Sequence, residues 1–118
     1  MSLYLCAREV AQSFVGAGIE ATADPRVAVT FPGPGGVFVP PPTRDHLNKL
    51  DTWEVVCLAG TRTADLTTLR LLSDLADRVA EVAPVESTRP GLYQLVSDQP
   101  PHPVLFCTFT TPEWRQTT

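Results

Sequence analysis

The sequence has few of the residues from which metal sites and covalent cross-links are built. It contains three cysteines and two histidines in 118 residues, and it has no C-x-x-C pair. An odd number of widely spaced cysteines predicts neither a disulfide framework nor a zinc site. Each of Cys6, Cys57 and Cys107 lies in an apolar segment, which predicts buried free thiols. We therefore expect no metal ion and no cofactor.

Long apolar runs and a basic surface are also lacking. Because no stretch of about 18 apolar residues is present, we expect no transmembrane helix and no membrane partner. The N-terminal sequence lacks the regions of a signal peptide, which indicates synthesis in a reducing cytoplasm. The net charge is −4 and the pI is near 5.0. An acidic surface argues against sequence-independent DNA binding, although it permits a place beside DNA.

Catalytic signatures are missing as well. His46 and His102 could each pair with a cysteine, but their polar and proline-rich surroundings do not resemble a nucleophile elbow or a cysteine-protease motif. Residues 33–36, Gly-Pro-Gly-Gly, lack the Lys and Ser/Thr of a phosphate-binding loop and lead into an apolar segment. The sequence thus predicts no catalytic residue, and a small enzyme is the least favoured interpretation.

Apolar periodicity is what the sequence does contain. Residues 3–15 and 64–83 repeat apolar side chains at helical spacing. The predicted buried stripe of the second helix is Leu69, Leu72, Leu75, Ala76, Val79, Val82 and Ala83. Strand-like alternation marks residues 27–31, 37–39, 52–58, 92–96 and 104–110. We predict a single α+β domain over residues 1–118, with a mainly antiparallel sheet of four to five strands and two helices packed on one face.

Proline and glycine mark the predicted loops. Twelve prolines and seven glycines cluster at 32–42, 84–90 and 100–103. Residues 27–31 and 37–39 are predicted to form a hairpin around the Gly/Pro loop, or else that loop is an arm. The whole range 32–50 is interpreted as a Pro/Gly-rich loop or arm, and residues 111–118 as a polar C-terminal tail.

Candidate interface residues are arginines in loops and large aromatic side chains, since both types are enriched where proteins meet. Glu54 could face a neighbouring subunit or the open side of the sheet, and Trp53 is a residue type more often found in a core than at a contact. The candidate set is Arg26, Phe38, Arg44, Asp45, Trp53, Glu54, Arg89 and Trp114.

An ordered set of features runs across most of the chain. The features are an N-terminal helix ending at Gly16-Ala17-Gly18-Ile19, then Asp24-Pro25-Arg26, an apolar strand leading to Pro40-Pro41-Pro42-Thr43-Arg44-Asp45, a Trp-bearing strand, the Leu-rich helix 66–82, the exit Val-Ala-Pro-Val-Glu at 82–86, and a Tyr93-containing strand pair. In this order they resemble the tail terminator proteins of long-tailed (siphovirus-type) bacteriophages, particularly those that infect actinobacteria.

The resemblance implies a structural virion protein without catalysis. Its subunits would form a ring, of six members in this family, on the head-proximal end of the tail tube. The implied partners are the tail tube protein and the head–tail connector, with DNA passing through the lumen without specific binding. A neck or adaptor protein, joining two partners without closing a ring, is the alternative.

The same hypothesis assigns residues 32–50 and 97–103 to subunit or tube contacts. Replacing Arg44 and Asp45 by alanine is then predicted to weaken assembly without unfolding the monomer.

Overall fold

The chain forms an α+β fold in which a mixed sheet lies between two apolar cores. The computed structural model describes residues 3–31, 35–59, 66–95, 97 and 100–112. The helices are α1 (Leu3–Gly16), α2 (Pro25–Ala28) and α3 (Leu66–Val82). The strands are β1 (Ala21–Thr22), β2 (Gly36–Phe38), β3 (Thr43–Asp45), β4 (Leu50–Leu58), β5 (Ser87–Tyr93) and β6 (His102–Pro112).

The strands of the sheet follow the order β1-β2-β4-β6-β5, and β3 pairs with the first half of β4. Only β1 and β2 run parallel among these pairs, while the others are antiparallel. The predicted α+β class and mainly antiparallel pairing are therefore compatible with the structure. The described residues contain six strands rather than four to five, because β3 lies in a segment predicted as a loop and β1 is an additional strand of two residues.

Helices α1 and α3 both contribute to one core, which we call the helix-side core. Strand β4 supplies Trp53, Val55 and Cys57 to this core, in the alternation expected of a strand. Its other face contributes Val56 and Leu58 to a second core, the outer-face core, which also contains Ala28 and Phe31 from α2 and the turn after it. The second half of β4, residues 55–58, is therefore covered on both sides, which explains its continuous apolar sequence.

The buried side of α3 is rotated relative to the prediction. Leu72, Leu75, Ala76 and Val79 are buried as expected, and Thr68 joins them one turn earlier. Leu69 and Val82 are largely exposed, so their assignment to the buried stripe is wrong. Positions 68, 72, 75 and 79 follow the i, i+3, i+4 spacing of one helix face, whereas 69 and 82 lie at its margins.

The segment 27–31 is not a strand, and it forms no hairpin with 37–39. Asp24 caps the short helix α2, because its carboxylate accepts a hydrogen bond from the backbone N–H of Arg26. Pro25 is compatible with this cap because it is the first residue of the helix. A backbone N–H at that position would have no acceptor within the helix, so its absence in proline costs nothing. Helical spacing then buries Ala28 and Phe31, three residues apart, while Val27 remains exposed.

Residues 32–50 are not a loop or arm as a whole, since β2 and β3 lie within this range. Strand β2 sits between β1 and β4. Gly35, which precedes it, has a φ of 85°, and a Cβ atom there would lie 1.9 Å from the carbonyl oxygen of Leu58. Glycine is required at this position for both reasons. Residues 32–34 lie outside the described part of the chain.

The last two strands extend beyond their predicted bounds. Strand β5 begins at Ser87 rather than at residue 92 and ends at Tyr93, so Gln94 and Leu95 of the predicted strand lie outside it, and it includes Pro90, which was predicted to be in a loop. A proline is tolerated there because β5 is at the end of the sheet, where a missing N–H need not break a ladder. Strand β6 continues to Pro112, so residues 111–112 of the predicted tail belong to the sheet.

Candidate interaction surface

Two of the predicted interface aromatics are buried within the subunit. Trp53 is fully buried; its indole N–H donates to the Thr111 hydroxyl at 3.1 Å, and its ring stacks on Phe109. Phe38 is buried in the outer-face core, with its ring centroid 5.8 Å from that of Tyr93. Both side chains therefore pack in the cores on the two faces of the sheet, and neither lies on the free surface of the subunit.

Arg44 is also an interior residue, because it forms a two-pronged ion pair with Asp51. The two residues lie directly opposite each other in the β3–β4 hairpin. Nε and Nη2 of Arg44 donate to the two carboxylate oxygens at 2.8 and 2.9 Å. The side chains are 7% and 0% exposed, and the guanidinium lies 3.9 Å from the Cys6 sulfur of α1. A substitution at Arg44 therefore perturbs folding together with any assembly.

A second arginine, Arg89, lies on the opposite, outer face of the sheet. One row of directly paired residues crosses four strands there: Phe38, Val56, Phe106 and Arg89. The Arg89 guanidinium carbon is 4.3 Å from the centre of the Phe106 ring, and its Nη2 is 3.1 Å from Oε2 of Glu54. The Arg89 and Glu54 side chains are 56% and 47% exposed, so this predicted pair of interface residues is on the surface.

The aromatic part of this row depends on Gly91. A Cβ atom at Gly91 would lie 2.6 Å from Cε2 of Phe106, which is closer than such atoms can approach. Tyr93 packs edge-on against Phe106, with 6.1 Å between ring centroids. Burial and, to a smaller extent, the nearby Glu54 carboxylate raise the pKa of the Tyr93 phenol. Arg89 thus covers an aromatic cluster that ends at the edge of the sheet.

The turn between β3 and β4, residues 46–49, is the most exposed apolar point of the described chain, and we call it the hairpin tip. The Asp45 carboxylate accepts hydrogen bonds from the backbone N–H groups of Leu47 and Asn48 and from the Asn48 side chain, at 2.7–3.2 Å. These bonds, that of the Asn48 side chain above all, lower the pKa of Asp45. The Leu47 side chain points into solvent and is 89% exposed.

An apolar cleft opens on the helix side of the sheet. It is lined by Val10, Ser13, Phe14, Val82, Ala83, Pro84 and Phe109, and its volume is about 180 Å³. The end of α1 and the residues after α3 form its two walls, and Phe109 of β6 forms its floor. Sequence reasoning missed this cleft, and it included the hairpin tip only within the broad range 32–50 that it assigned to contacts. The only available signal was Leu47 itself, a single apolar residue in a polar run.

The remaining candidates are spread over the surface. Arg26 is exposed on α2, and Asp45 is exposed beside the hairpin tip. Trp114 lies outside the described residues, as does Arg62, another arginine in a predicted loop. Of the predicted interface residues that are described, the structure brings together only Glu54 and Arg89 on an exposed surface.

The three cysteines are buried free thiols, as predicted. The Cys57 and Cys107 sulfur atoms are 3.9 Å apart. The contact with Cys107, followed by burial, raises the pKa of the Cys57 thiol. His102 and Cys107 lie on opposite faces of β6 because their positions differ by an odd number. No three His, Cys, Asp or Glu side chains of the described ranges are placed so that they could share a metal ion.

Comparison with family models, with characterised proteins and with solved structures gives no match to this chain. The helices in the described part of the chain are all too short or too polar to cross a bilayer. The function is therefore argued from the architecture and from the residues that it exposes.

Proposed function

We propose that the chain is a structural ring subunit of a long-tailed bacteriophage, which terminates the tail tube and joins it to the head-side connector. The observation that carries this proposal is a small α+β subunit with an exposed strand at the end of its sheet. All seven residues of β5 pair with β6 on one side, and the described residues place no strand on its other side. An open edge of this length is a natural place for a neighbouring chain.

Closed rotational symmetry is the arrangement that gives every such edge an equivalent neighbour. The two ends of the sheet are different, because β1 has two residues and β5 has seven. Contacts between unlike ends repeat head to tail, and this kind of contact closes into a ring when the rotation permits. The ordered sequence features that resemble tail terminators lead to the same arrangement, with six subunits as the family's number.

The charge of the chain is compatible with a DNA passage. Thirteen acidic and nine basic residues give a net charge of −4. An acidic wall repels phosphates, so DNA can pass without being retained. In this proposal the protein has no catalytic role, and it belongs to the head-proximal end of the tail after assembly in the host cytoplasm.

The test is the oligomeric state of the purified chain. We expect native mass spectrometry over a range of concentrations to show one closed oligomer, and negative-stain images of the same samples to show rings. Six subunits would support the proposed family role most strongly. Monomers both alone and with tail tube protein present would overturn the ring, and would favour an adaptor that joins two partners.

A further inference from the structure

The hairpin tip is built as a fixed protrusion. Three hydrogen bonds from Leu47 and Asn48 to the Asp45 carboxylate hold the turn. The strands on either side are paired with each other, and β4 is also paired with β6 up to Leu50. Leu47 is therefore presented to solvent, 89% exposed, at the end of a supported hairpin. An exposed leucine in a fixed position gains free energy when its apolar surface is buried in a pocket.

The apolar cleft has the size and lining to receive such a side chain. Its volume is about 180 Å³, and six of its seven lining residues are apolar. An engineered cavity of about 150 Å³ lined by apolar side chains takes up a molecule as large as benzene. The isobutyl group of a leucine is smaller than benzene, so one leucine side chain fits the cleft.

A subunit cannot fill its own cleft with its own hairpin tip. Trp53 lies directly opposite Phe109, which forms the floor of the cleft. Leu47 lies in the turn six residues before Trp53, and the strands on either side of that turn are paired with each other. Bringing the tip to the cleft would break the pairing of β3 and β4 with the sheet. A hairpin tip that enters the cleft would therefore come from another copy of the chain.

Charges beside the two features are complementary. Lys49 is exposed within the hairpin tip, while the Asp45 carboxylate beside it accepts hydrogen bonds from Leu47 and Asn48 of the tip itself. Glu81 and Glu86 are exposed on either side of the Val82–Pro84 wall of the cleft. When Leu47 enters the cleft, Lys49 can lie beside the carboxylates of this wall. Their attraction favours an orientation of the tip that turns Lys49 toward the wall over one that turns it away.

We propose that the hairpin tip of one copy of this chain inserts into the apolar cleft of the next copy, with Leu47 as the anchor and Lys49 facing Glu81 and Glu86. The contact joins two different surfaces, so it repeats head to tail. This inference rests on the proposed function, since it adds a contact between neighbouring subunits of the ring to that of the β5 edge. A segment of the tail tube protein is the competing occupant of the cleft.

The first test replaces the anchor with a charged residue. We expect Leu47→Asp to weaken self-association at least tenfold, measured by sedimentation and native mass spectrometry. Leu66→Asp is the matched control, because Leu66 is 65% exposed at the start of α3, at the opposite end of that helix from the cleft. Both variants should give the same circular dichroism spectrum as the parent chain. Equal association of the two variants would overturn the inference.

The second test maps the contact by cross-linking. Leu47→Cys and Val82→Cys are made in separate chains and treated with a short bis-maleimide, while the parent chain controls for its buried thiols. We expect cross-linked dimers only when the two variants are mixed, and a ladder of higher oligomers when both substitutions are in one chain. Cross-linking of Leu47→Cys with itself would indicate a two-fold contact and would overturn the proposed one.

The outcomes for this contact and for the ring are distinguishable. Rings that persist in Leu47→Asp and give no mixed cross-link would leave the ring proposal standing and overturn the contact. Monomers of the parent chain at every concentration would overturn the contact between copies. Cross-linking of Val82→Cys only to tail tube protein would assign the cleft to that partner instead.

Discussion

The two faces of the sheet each carry one arginine–carboxylate pair, and the pairs differ in almost every physical respect. Arg44 and Asp51, on the helix side, make two short hydrogen bonds and are almost entirely removed from water. Arg89 and Glu54, on the outer face, make one contact of 3.1 Å and are about half exposed. The same charged groups therefore serve cohesion on one face and remain available for contact on the other.

Residue type alone does not distinguish a buried arginine from an exposed one in this chain. The sequence makes both Arg44 and Arg89 interface candidates, and only Arg89 is exposed. A buried ion pair holds its two residues to each other, because removing one partner leaves an uncompensated charge in a dry environment. An exposed pair exchanges readily with water and with other partners, so it contributes little to stability.

The largest expected effect comes from breaking the buried pair. Arg44→Ala leaves the Asp51 carboxylate buried without its charged partner, so we expect it to lower the free energy of unfolding by about 3–5 kcal/mol. Urea unfolding followed by circular dichroism measures this loss. The double variant Arg44→Met, Asp51→Leu should recover most of it, since an apolar pair leaves no buried charge. A loss below about 1 kcal/mol for Arg44→Ala would contradict the comparison.

A smaller effect is expected from crowding the aromatic row on the outer face. Gly91→Ala places a methyl group against the Phe106 ring, so we expect a loss of about 1–3 kcal/mol from overpacking. The matched control is Gly16→Ala, where an added methyl group meets no atom within 4 Å. Thermal unfolding of the two variants gives the comparison. If the control lost as much stability as Gly91→Ala, contact with Phe106 would not be the cause.

Breaking the exposed pair should have little effect on stability. We expect Arg89→Ala and Glu54→Gln each to change the free energy of unfolding by no more than about 1 kcal/mol, since the ion pair is screened by water. Arg89→Ala should be the more harmful of the two because it also removes the contact with Phe106. Adding salt should reduce the effect of Glu54→Gln. A loss as large as that of Arg44→Ala would remove the distinction between the two faces.

The smallest effect concerns a fully exposed carboxylate, Asp45. Its pKa in the folded chain lies below the ordinary value of 3.8, so its contribution to stability is present above pH 3.8 and is lost as the pH falls through the folded pKa. Protonation should loosen the hairpin tip while the sheet stays intact. Amide NMR signals of Leu47 and Asn48 should shift below pH 3.8, and Asp45→Asn should abolish that shift. Equal shifts in Asp45→Asn would assign them to another group.

The sequence predicted the elements that have strong apolar periodicity. The helices α1 and α3 follow patterns that one buried face explains, and the central parts of β4 and β6 show strand alternation with apolar residues in both cores. The alternation at residues 27–31 was misread, because Asp24 and Pro25 act as a helix start and this local signal is stronger than a period of two over five residues. Strand β3 was missed since all three of its residues are polar.

The site could be predicted less well than the fold because it depends on pairings between distant residues. Arg44 meets Asp51 only when the hairpin has formed in the observed register. Arg89 of β5 meets Glu54 of β4 only when both strands pair with β6, one on each side of it. The two residues are 35 positions apart in the chain. The cleft needs α1, the end of α3 and β6 together. No local pattern contains this information.

The backbone at Lys49 bears on how this chain would respond to selection. Lys49 adopts a φ of 59°, a left-handed conformation that costs a residue with a side chain about 1–2 kcal/mol and costs glycine almost nothing. A library screened for heat resistance alone should therefore enrich glycine at position 49. A library screened for assembly should keep the lysine if its charge is used between subunits. The residue recovered at this position would then report which property the screen had rewarded.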